Sequence, residues 1–136
     1  MIIDTSVIIA AERGAVPLPD VLRSFGSEPV SIASITASEL LHGCHRATAA
    51  SIRTRRFAFV EAILDLIPVA PFRLQEARRH AELWAELVRR GRMLGPHDML
   101  IAATALARGE SLATLNHQEF KQVPGLRLVK VSDSAH

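Results

Sequence analysis

Short apolar runs alternate along the chain with segments of helix length. The apolar run 1–3 ends at Asp4 and passes into the apolar residues 7–11, which predicts a buried strand that turns directly into a helix. The proline-containing segment 17–26 predicts a second, short helix that stops at a glycine. The β-branched segment 30–34 then predicts a second strand.

Longer helices are predicted in the middle of the chain. One begins at Thr36, a second spans 48–66 and ends before Pro68, and a third lies within 72–91. In the second helix, four apolar residues lie near one face: Ile52, Phe59, Ile63 and Leu66. The third is predicted to be amphipathic, because apolar residues recur at steps of three and four at Leu74, Ala77, Ala81, Trp84 and Val88.

The last third of the chain predicts a buried helix and two more strands. Residues 99–107 are apolar almost all round, which is typical of an interior helix, and segments 111–115 and 126–131 predict short strands. Strands that alternate with helices favour a parallel sheet flanked by helices, an α/β fold built as an α/β/α sandwich. We expect one domain over residues 1–131 and a frayed tail over 132–136.

Composition narrows the class of protein. The chain has 136 residues, of which 49% are hydrophobic and 22% charged, as expected for a folded globular protein. It contains no bilayer-length apolar run and no basic, cleavable leader, so we expect a cytoplasmic protein without a membrane partner. The only cysteine, Cys44, is interpreted as a buried small hydrophobic residue, since no cysteine pair or Cys/His cluster is present.

Arginine supplies most of the positive charge. The formal net charge is only +2, but 14 of the 16 basic residues are arginines. Arginine binds phosphate in a bidentate manner, although a GC-rich genome would produce the same bias. We predict that four arginines contact the phosphates of a polyanionic partner, with solvated helix faces as the alternative: Arg46, Arg53, Arg55 and Arg56.

Acidic residues follow the predicted strands. Asp4 ends the first strand, Glu39 lies in the first predicted turn of the helix after the second strand, and Asp98 lies in the first turn of the buried helix. Asn116 ends the strand near residue 114 in an equivalent place. Because ligands of parallel α/β sheets gather at the carboxyl ends of the strands, we expect these side chains to share one edge of the sheet.

Each acid also has a purely structural interpretation. Asp4 is placed to cap the helix that follows it. Thr36 and Glu39 match a capping box, in which Glu39 accepts from the Thr36 backbone N–H. Asp98 near a helix start is favoured by the helix dipole. Considered together, however, the acids predict a site, because clustered carboxylates repel one another unless their pKa values rise or a cation binds between them.

An all-carboxylate cluster indicates a hard cation. Mg²⁺ or Mn²⁺ prefers oxygen ligands, whereas zinc would require histidine or cysteine. Such an ion polarises phosphoryl oxygens and lowers the pKa of a bound water. Hydrolysis of a phosphodiester is therefore the reaction that the residues favour.

Four segments resemble the motif regions of PIN domains, in order and across nearly the whole chain. They read MIIDTSVIIA, ASITASELLHG, GPHDMLIAATALARG and LATLNHQEFKQVPGLRLVKV. The most similar subgroup is the VapC toxins of bacterial VapBC toxin–antitoxin pairs. The resemblance implies a PIN-like fold in which Asp4, Glu39 and Asp98 coordinate Mg²⁺ or Mn²⁺, with Asn116 at the fourth position. It also implies an endoribonuclease that cleaves RNA through a metal-activated water.

The sequence departs from the fullest PIN pattern at Asn116, where many members have aspartate. A neutral amide is a weaker ligand, and Glu119 is a further candidate. Thr5 and Ser6 are candidates for holding a metal-bound water or the scissile phosphate, and Thr5 has a helix cap as its alternative role. The two histidines beside the site, at 97 and 117, are interpreted as surface or supporting residues, because the chemistry requires no histidine base.

The resemblance also implies partners. A cognate VapB-type antitoxin would occupy the groove, and homodimers of the toxin would assemble with antitoxin into a larger complex that binds operator DNA through the antitoxin. Two alternatives stay open: a non-catalytic PIN-like module that binds RNA or a partner, and an RNA-maturation nuclease without an antitoxin.

Overall fold

A computed structural model describes residues 1–131, so the predicted frayed tail at 132–136 lies outside the described residues. In chain order the elements are β1 (Ile2–Ile3), α1 (Thr5–Glu12), α2 (Leu18–Ser24), β2 (Ile32–Ala33), α3 (Ser34–Arg46), α4 (Ala50–Leu66), β3 (Val69–Ala70), α5 (Leu74–Arg89), α6 (Pro96–Ala107), β4 (Leu112–Thr114), α7 (His117–Phe120) and β5 (Leu128–Lys130).

All strand pairs are parallel. β1, β4 and β5 form one ladder, and β2 and β3 form another. The two ladders are joined where Ile3 N–H donates to the Ser31 carbonyl and Ser31 N–H donates to the Met1 carbonyl, both at 2.9 Å. The strands therefore follow the order β3-β2-β1-β4-β5, with β1 at the centre.

Alternate residues of each strand face opposite layers of helices, as the pleat requires. Ile3 and Ile32 belong to a core shared with α1, α2, α3 and α4. Ile2 and Leu112 belong to a second core, on the side of α5 and α6. The chain is an α/β/α sandwich around a short parallel sheet, which confirms the predicted fold class.

The order of the strands places a crevice beside β1. From β1 the chain moves to β2 and β3 on one side and returns to β4 on the other side. Chain connections therefore leave β1 and β4 in opposite directions, and such a switch point opens a crevice at the carboxyl ends of the two strands. Asp4 follows β1 and Asn116 follows β4 shortly after its last residue, so both lie at this crevice.

Two elements were not predicted from the sequence. β3 has only two residues, between Pro68 and Pro71, and both pair with the two residues of β2. α7 is a single turn after Asn116. Both are too short for a hydrophobic period to show, since a period needs several residues on one face.

The predicted start of α3 is wrong by two residues. The helix begins at Ser34, directly after β2, and Ala33 takes the N-cap position. Thr36 is therefore inside the helix and fully buried, and it does not cap it. Glu39 accordingly lies in the second turn of α3, not in the first.

The apolar residues singled out on α4 and α5 are largely not the ones that form the core. On α5, Trp84 and Val88 are more than half exposed, whereas Leu83 and Leu87 are buried. On α4, Val60 and Ile63 are buried and Leu66 is exposed, so of the four apolar residues only Ile63 lies fully in the core. The apolar residues of α5 do recur with a helical period, but the stripe that faces the sheet is a second one, which lies one residue earlier in the sequence and contains Leu83 and Leu87.

Two further predictions concern burial. Cys44 is fully buried, as predicted, with its Sγ 3.4 Å from the Leu40 carbonyl oxygen, and burial raises the pKa of the thiol. Within residues 1–131, no helix has the length and apolar character that crossing a bilayer requires.

Candidate active site

A cleft of about 470 Å³ opens at the crevice beside β1. It is lined by most of the residues that the sequence singled out and by several neighbours: Asp4, Thr5, Ser6, Ile9, Ala10, Arg13, Ala15, Glu39, Asp98, Leu115 and Asn116. The fold thus brings Asp4, Glu39 and Asp98 to the walls of one cavity, although they come from three different elements.

Asp4 is held at the base of the cleft by two hydroxyl groups. Its carboxylate is 2% exposed, and its Oδ2 accepts from Ser6 Oγ at 2.6 Å and from Thr114 Oγ1 at 2.7 Å. The side chain makes no capping hydrogen bond to α1, although Asp4 stands at the N-cap position. Burial raises the pKa of Asp4, the two hydroxyl donors oppose that rise, and nearby Glu39 adds to it. Asp4 therefore faces the cleft and is not occupied in capping.

Glu39 is held by a threonine and a histidine. Its Oε1 accepts from Thr5 Oγ1 at 2.8 Å, and its Oε2 lies 3.1 Å from His97 Nδ1. Thr36 Oγ1 contacts the same Thr5 hydroxyl at 2.9 Å. The capping-box interpretation of Thr36 and Glu39 is wrong, because Thr36 lies within α3 and the Glu39 carboxylate reaches across to α1 and α6.

Asp98 lies in the first turn of α6, as predicted, and closes the opposite wall of the cleft. Burial raises its pKa to about 6, with further contributions from Asp4, Glu39 and Glu119, while His97 opposes the rise. Asp4, Glu39 and Glu119 are therefore close enough to Asp98 to disfavour its charged form, in addition to the larger effect of burial.

The fourth position is occupied by an exposed amide. Asn116 lines the cleft, and its backbone N–H donates to Thr114 Oγ1 at 2.9 Å. Glu119 is not among the lining residues but is close enough to act on Asp98 electrostatically. His117 is partly buried, and within residues 1–131 its Nε2 has no hydrogen-bond partner.

Two supporting residues were missed by the sequence interpretation. Thr114 links Asp4 to the Asn116 backbone, and Thr36 contacts the hydroxyl that holds Glu39. Each is fully buried. The sequence offered only one indication of this role, a threonine close in sequence to a candidate site residue. That indication is weak, because β-branched residues are common in strands for structural reasons alone.

The predicted arginines lie beside the cleft and are not all equivalent. Arg46 and Arg56 line a narrow groove between α1, α3 and α4, of about 70 Å³, in which Glu39 also takes part. Arg55 and Arg56 line a larger adjoining cavity of about 450 Å³. Arg53 is exposed on α4 and is not among the residues that line either cavity.

The donor chemistry of the cleft fits a hard divalent cation. The available groups are carboxylates, hydroxyls and an amide, which are the oxygen ligands that Mg²⁺ and Mn²⁺ prefer. Among residues 1–131, however, no three acidic, histidine or cysteine side chains converge into a ready-made cage. Hydrogen bonds to Thr5 and His97 hold the Glu39 carboxylate in place.

Sequence comparison identifies the family. The PIN domain model matches residues 1–126. The chain belongs to the PIN-domain family. Among curated relatives, "Ribonuclease VapC1" of Rickettsia felis is 39% identical over 132 residues, covering 97% of this chain and 96% of that protein. "tRNA(fMet)-specific endonuclease VapC" of Salmonella typhimurium is 36% identical over 97 residues, 71% of each chain. Within the PIN-domain family, the chain therefore groups with VapC proteins.

Solved PIN-domain structures share the whole architecture. The chain superposes with a TM-score of 0.86 on a structure described as DNA-bound VapBC from Salmonella typhimurium, at 29% identity, covering 95% of this chain and 96% of that one. A VapBC2 structure from Rickettsia felis, bound to a promoter DNA fragment, gives a TM-score of 0.88 at 24% identity, over 96% of this chain and 98% of that one. The latter likeness supports the fold alone.

Proposed function

We propose that this PIN-domain protein is the toxin of a VapBC-type pair and acts as an endoribonuclease dependent on Mg²⁺ or Mn²⁺. The observation that carries the proposal is the single cleft that Asp4, Glu39 and Asp98 all line. A protein that keeps three carboxylates together bears an electrostatic cost, and a cation between them relieves that cost.

The three carboxylates would hold the ion, and Asn116 would supply a neutral oxygen beside them. When bound, a divalent ion supplies Lewis-acid polarisation of the phosphoryl oxygen and lowers the pKa of bound water. Ser6 and Thr114 orient Asp4, whereas Thr5 and His97 orient Glu39. These hydrogen bonds fix the direction in which the acids present their oxygens to the cleft.

The antitoxin and the RNA follow from the relatives. Several solved structures of similar fold are VapBC complexes, and one of 29% identity is bound to DNA. We propose that this chain likewise forms a homodimer that joins a cognate antitoxin, which provides the contact with operator DNA. The Salmonella relative is described as specific for tRNA(fMet), so this tRNA is the first substrate to test.

The decisive experiment compares Asp98→Asn with Asp65→Asn. Asp65 is an exposed aspartate on α4 that does not line the cleft, so it controls for the loss of one charge. With Mn²⁺ and tRNA(fMet) or total RNA, Asp98→Asn should reduce cleavage by more than about 100-fold, beyond the 10- to 100-fold effect of typical outer-shell partners. Asp65→Asn should cleave as the unmodified protein does.

Thermal melting supplies a readout independent of turnover. Mn²⁺ should raise the melting temperature of the unmodified protein and of Asp65→Asn, because an ion bound only by the folded state stabilises it. In Asp98→Asn that rise should shrink, while the melting temperature in EDTA should increase, since a repelled carboxylate has been removed. Undiminished RNA cleavage in excess EDTA would contradict the metal requirement, and a lack of cleavage under all conditions would favour a non-catalytic binding module.

A further inference from the structure

Arg13 connects the acidic cleft to two further cavities. It stands at the C-terminal end of α1, and it lines the acidic cleft, the narrow groove between α1, α3 and α4, and the 450 Å³ cavity beyond that groove. Within residues 1–131, no other residue lines all three of these cavities. A continuous concave path therefore runs from Asp98 past Arg13 to α4.

The far cavity combines an apolar surface with cationic edges. Ile52 and Phe59 provide its apolar side chains, and Arg13, Arg55 and Arg56 stand around them together with Glu12. The α4 members recur at steps of three and four, so they share one face of that helix. Ile52 is 39% exposed and Phe59 is partly buried against the core, so the cavity presents apolar surface to solvent.

The cations along the path are available to an anionic ligand. Arg23, Arg90 and Arg108 each pair with a neighbouring carboxylate. By contrast, Arg13, Arg46 and Arg55 make no ion pair within residues 1–131, although exposed Glu12 is near. Arg56 uses one N–H to bind the Gly43 carbonyl at 3.2 Å, which fixes it between α3 and α4.

We propose that this path is the binding site for the single-stranded part of the RNA substrate, and that the cavity beside Phe59 takes one nucleobase. Arg13 binds a backbone phosphate between that base and the scissile bond. This inference rests on the proposed ribonuclease function and adds a nucleotide subsite and a positioning residue to it.

Charge, shape and continuity support this occupant over others. A single strand presents flat apolar bases and a regular row of phosphates, which matches an apolar surface bordered by arginines. Eight residues of α1 separate Asp4 from Arg13, a rise of about 12 Å, so Arg13 is placed to contact a phosphate other than the scissile one. A duplex keeps its bases stacked and paired, so it would not place a base against Phe59.

Binding is tested on the full chain in EDTA with a fluorescein-labelled single-stranded RNA of about 12 nucleotides. Arg13→Gln and Arg55→Gln should each flatten the slope of log affinity against log salt by about 0.7, the value for one phosphate contact on a single strand. Arg78→Gln is the charge-matched control, since Arg78 is exposed on α5 and lines a different cavity, and it should leave the slope unchanged. Arg55→Gln should weaken binding more than Arg53→Gln.

The base subsite is tested by apolar substitutions. Phe59→Leu keeps an apolar side chain against the core but removes the ring, and it should weaken single-strand binding about fivefold with no change in the salt slope. Ile52→Ala, at an exposed position, should act in the same direction without affecting folding. A duplex RNA of the same length should be insensitive to both substitutions.

Cleavage in Mn²⁺ separates positioning from general damage. Arg13→Gln should raise KM about tenfold and change kcat much less, since the lost contact is a charge-assisted hydrogen bond away from the scissile phosphate. If the unmodified protein cleaves RNA while Arg13→Gln matches it in salt slope and in KM, RNA does not use the path and the proposal is overturned. If the unmodified protein cleaves no RNA, the proposed function fails, and the EDTA binding result still decides whether the path binds single strands.

Discussion

Glu39 is the residue whose role changes most between sequence and structure. From the sequence both a capping box and a metal ligand fit Glu39. It lies three residues after Thr36, as a capping box requires, and its carboxylate is a group that a hard cation binds. The structure removes the capping role, since Glu39 contacts Thr5 and His97 instead. The sequence did not show that α3 begins at Ser34. Where a strand leads directly into a helix, the local sequence pattern does not determine the first residue of the helix.

Glu39→Gln is expected to leave folding intact and to reduce cleavage. The amide retains an oxygen that accepts from Thr5, so the melting temperature in EDTA should stay constant or rise as repulsion with Asp98 falls. Cleavage in Mn²⁺ should fall by more than about 100-fold if the carboxylate binds the ion. Melting curves and RNA cleavage on the same preparation measure both. Full activity in Glu39→Gln would remove this residue from the catalytic set.

Thr114 is expected to tune the site through Asp4. Thr114→Val keeps the shape of the buried side chain but removes the donor to Asp4 Oδ2 and the acceptor for Asn116 N–H. We expect roughly 1–3 kcal/mol lower stability and Mn²⁺ binding weakened about 10- to 100-fold. Isothermal titration and denaturant melts measure these quantities. Thr114→Ser restores the hydroxyl, and if it fails to restore Mn²⁺ affinity, packing rather than hydrogen bonding explains the loss.

At the scale of elements, long periodic segments were predicted better than short ones. α4, α5 and α6 were predicted within a few residues, because several turns of helix display a period. β3 and α7 were missed, since their existence depends on pairing with β2 and on the turn after β4. The placement of Asp4 and Asp98 in one cleft could be expected, because Asp4 directly follows β1 and Asp98 lies in the first turn of α6. The place of Arg13 on the same cleft could not be expected, because nothing in the sequence shows where α1 ends in space.

The two apolar stripes of α5 give an element-level test. Leu87 is fully buried and Trp84 is 52% exposed, one turn apart on the same helix. Leu87→Ala should cost about 2–5 kcal/mol of unfolding free energy through the cavity it leaves. Trp84→Ala should cost less than about 0.5 kcal/mol, as at other exposed positions. Chemical denaturation followed by circular dichroism compares them, and a cost for Trp84→Ala as large as that for Leu87→Ala would contradict the assignment of Leu87 to the core stripe.

For the whole molecule, the raised pKa of Asp98 makes stability depend on pH. The pKa of Asp98 is about 6 in the folded state against an ordinary value of 3.8, so between these values the folded protein binds more protons than the unfolded chain. Stability of the metal-free protein therefore falls as pH rises from about 4 to about 6 and then levels off. Asp4 shifts in the same direction.

The size of this effect is modest, and it is measurable. The full Asp98 shift corresponds to about 3 kcal/mol, which solvent screening at a partly exposed group reduces to about 1–2 kcal/mol. Saturating Mn²⁺ should reverse the trend, because the ion competes with protons for the same oxygens. Denaturant melts across pH 4 to 8, with and without Mn²⁺, measure the free energy of unfolding that tests this prediction. In Asp98→Asn the dependence of that free energy on pH should be weaker. A metal-free protein that becomes more stable towards neutral pH would contradict it.

The central place of β1 has a consequence for how the protein is made. Thr114 holds the carboxylate of Asp4 but is synthesised 110 residues after it. At roughly 5–20 residues per second, translation keeps the two ends of the site apart for about 5 to 20 s. A nascent or prematurely released chain that stops before β4 lacks both the strand that completes the centre of the sheet and the Asn116 wall of the cleft. The cleft therefore forms only after β4 and the residues that follow it have been synthesised, and we expect a fragment that stops before β4 to cleave no RNA.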